Sequence, residues 1–280
     1  MFKDCPGAGS AQVNLWTWGT TNECKRRKWS ADQAREYLYK HSTHTGAEAE
    51  EEIERAIDRV FQQGVNAHSL KWPALDQKLR REIVSLGPDL KTIRNISPRP
   101  HITASEALGL LFPENPLLWA ARSVRPEYGA DTRRACDWMP EADQLQFIVP
   151  TPMVCCDVPD GGYSKRCAAN TGPRRYQVLE SDFGPVDEQI PILWYLARFA
   201  PLCAIVLSGG KSAHGWYNVG GRQETANRLF MERAVSLGAD RATWCRAQAV
   251  RMPGGFRPEE KTIQEIAFFS PLPAKGGGVK

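Results

Sequence analysis

Residues 203–218 constrain the fold of this 280-residue chain more than any other segment. They read CAIVLSGGKSAHGWYN, so an apolar run leads into two glycines and a second run rich in aromatic residues follows. Runs of this length on either side of glycines indicate two strands joined by a tight turn. The segment therefore predicts a β-hairpin, and its Ser-Gly-Gly-Lys-Ser turn offers backbone N–H groups and a lysine to an anion.

Residues 1–96 are predicted to form a helical module. Ser30 is the expected N-cap of one helix, and a glutamate-rich segment at 47–64 has the apolar spacing of a second. A third helix is expected after Pro73. The proline-rich segment 97–100 then suggests a linker to the rest of the chain.

Beyond the linker, residues 97–280 alternate short apolar runs with longer amphipathic segments. The amphipathic segments predict two helices, and the apolar runs predict three strands in addition to the hairpin. The helices are expected at 188–200 and 222–238, and the strands at 145–150, 174–182 and 264–269. Strands interleaved with long helices predict an α+β (α/β) fold for this region.

The composition is that of a globular protein, because 42% of the residues are hydrophobic and 24% are charged. The formal charge of +4 permits an anionic partner without requiring one. The amino terminus lacks the apolar stretch of a secretory signal, and Arg198 and Pro201 interrupt the apolar run at 191–207. No membrane partner is therefore expected.

Eight cysteines without a Cys-x-x-Cys pair indicate reduced thiols, so the expected location is the cytoplasm. Cys155, Cys156 and Cys167 lie close enough in sequence to suggest a zinc site. No fourth ligand stands at a usual spacing from them, so the sequence leaves the question of zinc open.

The glycine turn differs from a Walker A loop in spite of its Gly-Lys-Ser sequence. A Walker loop requires a glycine five residues before the second glycine of the turn. That position is Ile205, inside a strand, and the residues after Ser212 do not begin a helix. The turn can still present amides and Lys211 to a phosphate, but a glycine hairpin with a surface lysine explains the same residues.

Glu180 and Asp182 stand at the end of a predicted strand. Alternate residues of a strand share a face, so the two acids are expected about 7 Å apart at their α-carbons. Carboxylates on one face suit a divalent cation such as Mg²⁺ or Mn²⁺, and phosphoryl transfer commonly uses two such ions. A solvated strand end is the alternative explanation for this pair.

Two further residues are candidate site residues because of where they stand in the order of motifs. Asp240 follows the helix predicted at 222–238, and Arg251 stands before Met-Pro-Gly-Gly. Taken alone, the aspartate is a turn former and the arginine a surface residue. Asp187 and Glu232 compete with Asp240 as a third acid.

The combined order of these motifs resembles that of the archaeo-eukaryotic primase (AEP) superfamily. The order is Glu-x-Asp at a strand end, a Ser-Gly-Gly-Lys-Ser-x-His hairpin, an isolated aspartate and an Arg-x-Pro sequence. The resemblance covers residues 145–269 and does not extend to residues 1–99. It implies a core with an RRM-like antiparallel sheet beside a second α/β subdomain. Many relatives have aspartate as the first acid of the first motif, where this chain has Glu180. Both acids of the motif are nevertheless present.

The resemblance implies a role for each matching residue. The implied ligands of two divalent ions, Mg²⁺ or Mn²⁺, are the three acids Glu180, Asp182 and Asp240. The implied contacts to nucleotide phosphate come from the hairpin and one arginine, namely Ser208, Lys211, Ser212, His214 and Arg251. His214 is thereby expected as a phosphate ligand and not as a general base.

The implied activity is template-directed nucleotidyl transfer by a DNA primase or primase-polymerase, which makes primers on single-stranded DNA from NTPs or dNTPs. Residues 97–280 would form the catalytic domain and residues 1–96 an accessory module. Any replicative helicase would be a separate partner, and a prokaryotic, plasmid or phage context agrees with this activity. Two alternatives stay open: a non-catalytic replication protein that binds nucleic acid or nucleotide with the same fold, and a metal-dependent nuclease.

Template binding needs basic and aromatic surface, because phosphates set affinity and bases stack on rings. The candidates are Arg174, Arg175, the segment Lys25 to Trp29, Trp216 and Tyr217. Ordinary surface or core is the favoured explanation for each of them, since aromatic residues of strands usually lie in the core.

Overall fold

The structure is a computed structural model, and it describes residues 12–43, 47–57, 60–61, 72–123, 129–159, 164–181 and 183–271. The chain divides into two compact units. The first comprises Met1–Lys71 with Val158–Ala169, and the second comprises Trp72–Asp157 with Asn170–Lys280. The functional boundary expected at residue 96 stays a prediction, and the division into compact units falls at residue 71.

Helices make up most of the described part of the first unit. They are α1 (Gln12–Arg26), α2 (Ala31–His41) and α3 (Ala47–Ile57). Ser30 caps α2 as predicted, because its hydroxyl accepts from the N–H of Gln33 while the Gln33 side chain accepts from the N–H of Ser30. The three helices share a small apolar core of Trp16, Cys24, Ala34, Leu38, Ile53 and Ile57.

The second unit is an α+β fold with antiparallel sheets, which confirms the predicted fold class. Its described helices are α4 (Gln77–Leu86), α5 (Leu90–Ile96), α6 (Ala104–Leu111), α7 (Ala135–Trp138), α8 (Val186–Leu196) and α9 (Glu224–Ser236). Of the helices in the described ranges, none combines the length and the apolar character that crossing a bilayer requires.

The described strands of the second unit include the predicted ones, with ends displaced by a few residues. They are β1 (Leu117–Ala121), β2 (Asp131–Arg134), β3 (Phe147–Ile148), β4 (Tyr176–Ser181), β5 (Leu202–Leu207), β6 (Ala213–Asn218), β7 (Val250–Arg251), β8 (Phe256–Arg257), β9 (Thr262–Ile263) and β10 (Ile266–Phe269). One sheet has the order β2-β1-β3-β7, a second has the order β10-β5-β6-β4, and β8 pairs with β9. Strands β5 and β6 pair antiparallel, so the predicted hairpin is confirmed.

The sheet β10-β5-β6-β4 is apolar on both faces, because alternate residues of its strands enter two different cores. Val178 and Trp216 lie in a core shared with α6 and with strands β1, β3 and β7 of the other sheet. Leu179 and Tyr217 lie in a core shared with α4, α5, α8 and α9. This packing explains why β5 reads as a continuous apolar run and why most residues of β4 and β6 are buried.

Candidate functional site

Glu180 and His214 are direct cross-strand partners on β4 and β6. The Nε2 atom of His214 lies 3.3 Å from Oε1 of Glu180, and the two side chains are 1% and 27% exposed. By strand alternation, they share the sheet face of Val178 and Trp216, which is directed at the other sheet. Within the described residues, neither imidazole nitrogen makes a hydrogen bond of normal geometry, so Nε2 lies close to the carboxylate without being aligned with it.

Two serine hydroxyls extend this contact into the glycine turn. The Oγ atom of Ser212 lies 3.2 Å from Oε1 of Glu180 and 3.1 Å from Oγ of Ser208. The N–H of Ser208 donates to the carbonyl of Ser212 and closes the turn. Gly209 within it has a φ of +76°, a conformation that side chains other than glycine rarely adopt. Two of the predicted residues, Ser212 and His214, therefore contact Glu180, and Ser208 is joined to it through Ser212.

Gln189 of α8 holds the backbone of this turn from behind. The side chain is fully buried, and its Oε1 atom accepts from the N–H of Ala213 at 2.7 Å. Its Nε2 atom donates to the carbonyls of Lys211 and Gly184. Lys211 itself is exposed, so the turn has a fixed backbone and a lysine in contact with solvent. Gln189 belongs to no sequence motif, and only its contacts identify it as a residue that supports the turn.

Asp240 is brought beside Glu180 by a main-chain contact. The N–H of Asp240 donates to the carbonyl of Glu180 at 2.7 Å. Its carboxylate caps the 3₁₀ turn that follows, by accepting from the N–H of Ala242. Of the competing acids, Asp187 is exposed in the first turn of α8, and Glu232 forms an ion pair with an arginine of its own helix.

Two arginines approach the hairpin from the C-terminal part of the chain. Arg251, on β7 of the other sheet, places its guanidinium 4.6 Å from the centre of the Phe147 ring. Arg257, on β8, lies with Nη1 3.4 Å from the carbonyl of Ser208. Within the described residues, Nη1 of Arg251 and Nε of Arg257 are buried without a hydrogen-bond partner. Buried donors are nearly always paired in folded proteins, so both atoms remain able to donate to a further acceptor.

The charges around Glu180 and Arg251 shift the pKa of each side chain. Burial raises the pKa of Glu180, but the imidazole of His214, the hydroxyl of Ser212 and the charge of Arg251 outweigh burial and hold this pKa below the usual glutamate value. Burial and the like charge of Arg257 lower the pKa of Arg251. The site therefore combines an ionised carboxylate with two arginines that are close enough to repel each other.

The predicted metal ligands are represented by Glu180 and Asp240, since Asp182 lies outside the described residues. Among the residues that the structure describes, no group of three or more histidine, cysteine, aspartate or glutamate side chains is arranged to hold a metal ion. The cysteine cluster suggested for zinc, Cys155, Cys156 and Cys167, forms no such group either. The two described acids supply carboxylate oxygens of the kind that Mg²⁺ and Mn²⁺ prefer.

The candidates for template contact differ in burial and in their partners. Trp216 and Tyr217 are fully buried, so they are core residues, as their place in a strand suggested. Arg174 is buried and paired with Glu224. Arg175 pairs with a glutamate, and the basic residues 25–28 at the end of α1 are exposed in the first unit.

No protein-family model matches the chain, and no curated protein matches it. Among solved structures, the AEP domain of the primase-polymerase (PrimPol) of cyanophage S-2L is similar to 59% of this chain and to 86% of its own chain. The sequence identity is 18% and the TM-score is 0.38. A superposition of this quality is a partial likeness of shape and carries no inference about activity.

Proposed function

We propose that the chain is a template-directed nucleotidyltransferase of the primase or primase-polymerase type. The observation that carries the proposal is the contact between Glu180 of the first motif and Ser212 and His214 of the second. These motifs are far apart in sequence, and the order in which they occur resembles that of the AEP superfamily. The main-chain hydrogen bond from Asp240 to Glu180 likewise joins the third motif to the first, which supports the proposal.

The distribution of charge suits a substrate that carries phosphate and metal together. The turn at 208–212 has a glycine backbone, an exposed lysine and an approaching Arg257. A triphosphate would supply acceptors for the unpaired donors of Arg251 and Arg257 and would relieve their mutual repulsion. His214 would stabilise the ionised form of Glu180 beside this anion.

Three acids are the proposed holders of two divalent ions, Mg²⁺ or Mn²⁺: Glu180, Asp182 and Asp240. When bound, such ions activate a primer hydroxyl and neutralise charge on the nucleotide phosphates. The chain's own contribution is to keep Glu180 ionised and to fix the turn through Gln189. The proposed substrates are single-stranded DNA and NTPs or dNTPs.

A primer-synthesis assay tests the proposal. The protein is incubated with a single-stranded template, labelled nucleotides and Mn²⁺ or Mg²⁺, and products are resolved on a denaturing gel. We expect new strands from the wild type and a loss of about 100-fold in Glu180→Gln, because an ionised group at the reacting phosphate is removed. Glu232→Gln, the same change on the face of α9, is expected to retain synthesis.

Several outcomes contradict this function. They are a wild type that makes no product with either metal, Glu180→Gln that is as active as the wild type, and Glu232→Gln that is as inactive as Glu180→Gln. Shortened template in place of new strands would instead identify a nuclease.

A second candidate is a non-catalytic protein that binds nucleotide or nucleic acid. The observation in its favour is that the carboxylate of Asp240 already caps its own turn. This candidate predicts nucleotide binding that is unchanged by EDTA, with no synthesis. Calorimetric titration with a nucleoside triphosphate, with and without Mn²⁺, separates the two functions.

A further inference from the structure

Arg80 of α4 is a charged residue in the interior of the second unit, with only 3% of its surface exposed. Its Nη1 atom donates to the carbonyl of Leu237 at 2.7 Å, and its Nη2 atom donates to the carbonyl of Phe183 at 2.8 Å. Nη2 also lies 3.2 Å from the carboxylate of Glu188 on α8. The guanidinium thus joins α4 to the segment 183–188 and to the end of α9, and its fork geometry lets it donate in both directions.

Two of these acceptors stand beside proposed metal ligands. Phe183 directly follows Asp182, and Leu237 ends helix α9 shortly before Asp240. One side chain therefore binds the loop after the first acidic motif and the loop that leads to the third.

The backbone of both loops is adapted to the approach of Arg80. Gly184 and Gly238 have φ values of +79° and +102°. A β-carbon at Gly184 would lie 2.9 Å from Nη2 of Arg80, and one at Gly238 would lie 3.2 Å from Nη1. A side chain at Gly184 would therefore clash with both Glu188 and the guanidinium, and one at Gly238 would press against the guanidinium.

The two loops also contact each other directly at the end of β4. The hydroxyl of Ser181 lies 3.3 Å from the carbonyl of Gly238, and the N–H of Asp240 donates to the carbonyl of Glu180. Arg80 supports this junction from the side of α4. Burial of a charge is costly unless it is paired and hydrogen-bonded, and here two loop carbonyls and Glu188 accept from the guanidinium.

We propose that Arg80 is a positioning residue: it holds the segment after β4 and the loop that leads to Asp240 together, and so keeps Glu180 and Asp240 at the spacing that metal ligands need. The proposal rests on the proposed function, because the acids matter only if they bind metal. It also makes α4, which the sequence analysis assigned to an accessory module, a part of the active-site framework.

The test measures Mn²⁺ binding and amide hydrogen exchange in Arg80→Lys. Lysine keeps the charge but has no planar fork to reach carbonyls in two directions. The control is Leu108→Val, a change in the core between the two sheets, compared at temperatures where both variants have the same folded fraction by circular dichroism. Mn²⁺ affinity is read from the electron paramagnetic resonance signal of the free ion.

We expect Arg80→Lys to bind Mn²⁺ about 10-fold more weakly than the wild type, the usual effect of losing a group that supports metal ligands. Exchange should accelerate selectively in 181–188 and 235–243, while Leu108→Val should retain the affinity and show no such selectivity. Wild-type Mn²⁺ affinity in Arg80→Lys, or exchange that rises as evenly as in the control, overturns the proposal. A wild type that makes no primers, yet binds Mn²⁺ in an Arg80-dependent way, contradicts the polymerase function and supports the role of Arg80.

Discussion

His214 and Glu180 occupy opposed positions on β6 and β4, with Nε2 3.3 Å from Oε1. The carboxylate also lies beside the hydroxyl of Ser212 and is attracted by the charge of Arg251, so its pKa stays below the usual glutamate value in spite of burial. One ionised carboxylate thereby links three segments of the second unit. The stability of this link depends on pH.

The first prediction concerns the stability of the folded protein in acid. A carboxyl whose pKa is lowered on folding stabilises the folded state above the pKa of the unfolded chain, and this contribution is lost as the pH falls through the lower folded value. The ordinary glutamate value is 4.5, so the contribution of Glu180 should be complete at neutral pH and should decline below that value. Urea denaturation of the wild type and Glu180→Gln from pH 7 to pH 3 measures this, the pH limits being about those of acid titration. A difference in unfolding free energy that is constant over the range would contradict it.

The second prediction concerns the support of the glycine turn. Gln189→Leu leaves the N–H of Ala213 and the carbonyl of Lys211 without their buried partner. We expect a loss of about 3 kcal/mol in unfolding free energy, since each unsatisfied buried group costs about 1–3 kcal/mol. Gln177→Leu is the matched control, because that buried glutamine binds the carbonyl of Thr243 and not the turn. Both variants should lose stability, but Gln189→Leu alone should weaken the binding of a nucleoside triphosphate in calorimetry. Equal affinities of the two variants for the nucleoside triphosphate would show that Gln189 does not support the nucleotide site.

The third prediction concerns Gly209. Its φ is +76°, and a β-carbon there would lie 2.3 Å from Cγ2 of Thr262 on β9. Gly209→Ala should destabilise the protein by about 1–2 kcal/mol from backbone strain alone, and the clash should add to that. Thr262→Ser removes the clashing methyl group. The double variant should therefore regain the stability that the clash costs, but not the stability lost to backbone strain. Chemical denaturation of the single and double variants measures both parts, and a Gly209→Ala variant as stable as the wild type would refute them.

The fourth prediction concerns the two arginines. Because Arg251 and Arg257 repel each other, an anion between them should stabilise the folded protein. We expect pyrophosphate to raise the melting temperature of the wild type by a few degrees and to raise that of Arg257→Gln much less, since a stabilisation of about 1 kcal/mol shifts melting by about 2–4 °C in a chain of this size. Arg94→Gln is the control, because that arginine pairs with Glu265 at the surface. Equal shifts in all three proteins would place the anion elsewhere.

The local parts of the site were predictable from the sequence. Glycines between two apolar runs predicted the hairpin, and strand pairing put Ser212 and His214 on the face of Glu180. The burial of Trp216 and Tyr217 follows from the same alternation, because both faces of their sheet are covered. The ends of the helices were less predictable. Helix α8 ends at Leu196, well before the apolar run stops, because turns before Pro201 interrupt it.

Other parts depended on contacts between distant segments. Arg257, Gln189 and Arg80 carry no motif, yet each bonds to the backbone of a proposed site loop. Their roles arise when β8, α8 and α4 pack around the sheet. The sequence pattern of each segment does not indicate that its residue lies near a site loop.

The sequence by itself determined the hairpin and the alternation of faces, because turn preference and strand geometry act over a few residues. Only the tertiary structure decided which charges meet. The carboxylate of Glu180 is attracted by the charge of Arg251, its carbonyl accepts from the N–H of Asp240, and two loops are bonded to Arg80, because packing brings these groups together from distant parts of the chain. Electrostatic attraction and hydrogen bonding act over a few ångströms in space, and that distance is set by packing and not by separation along the chain.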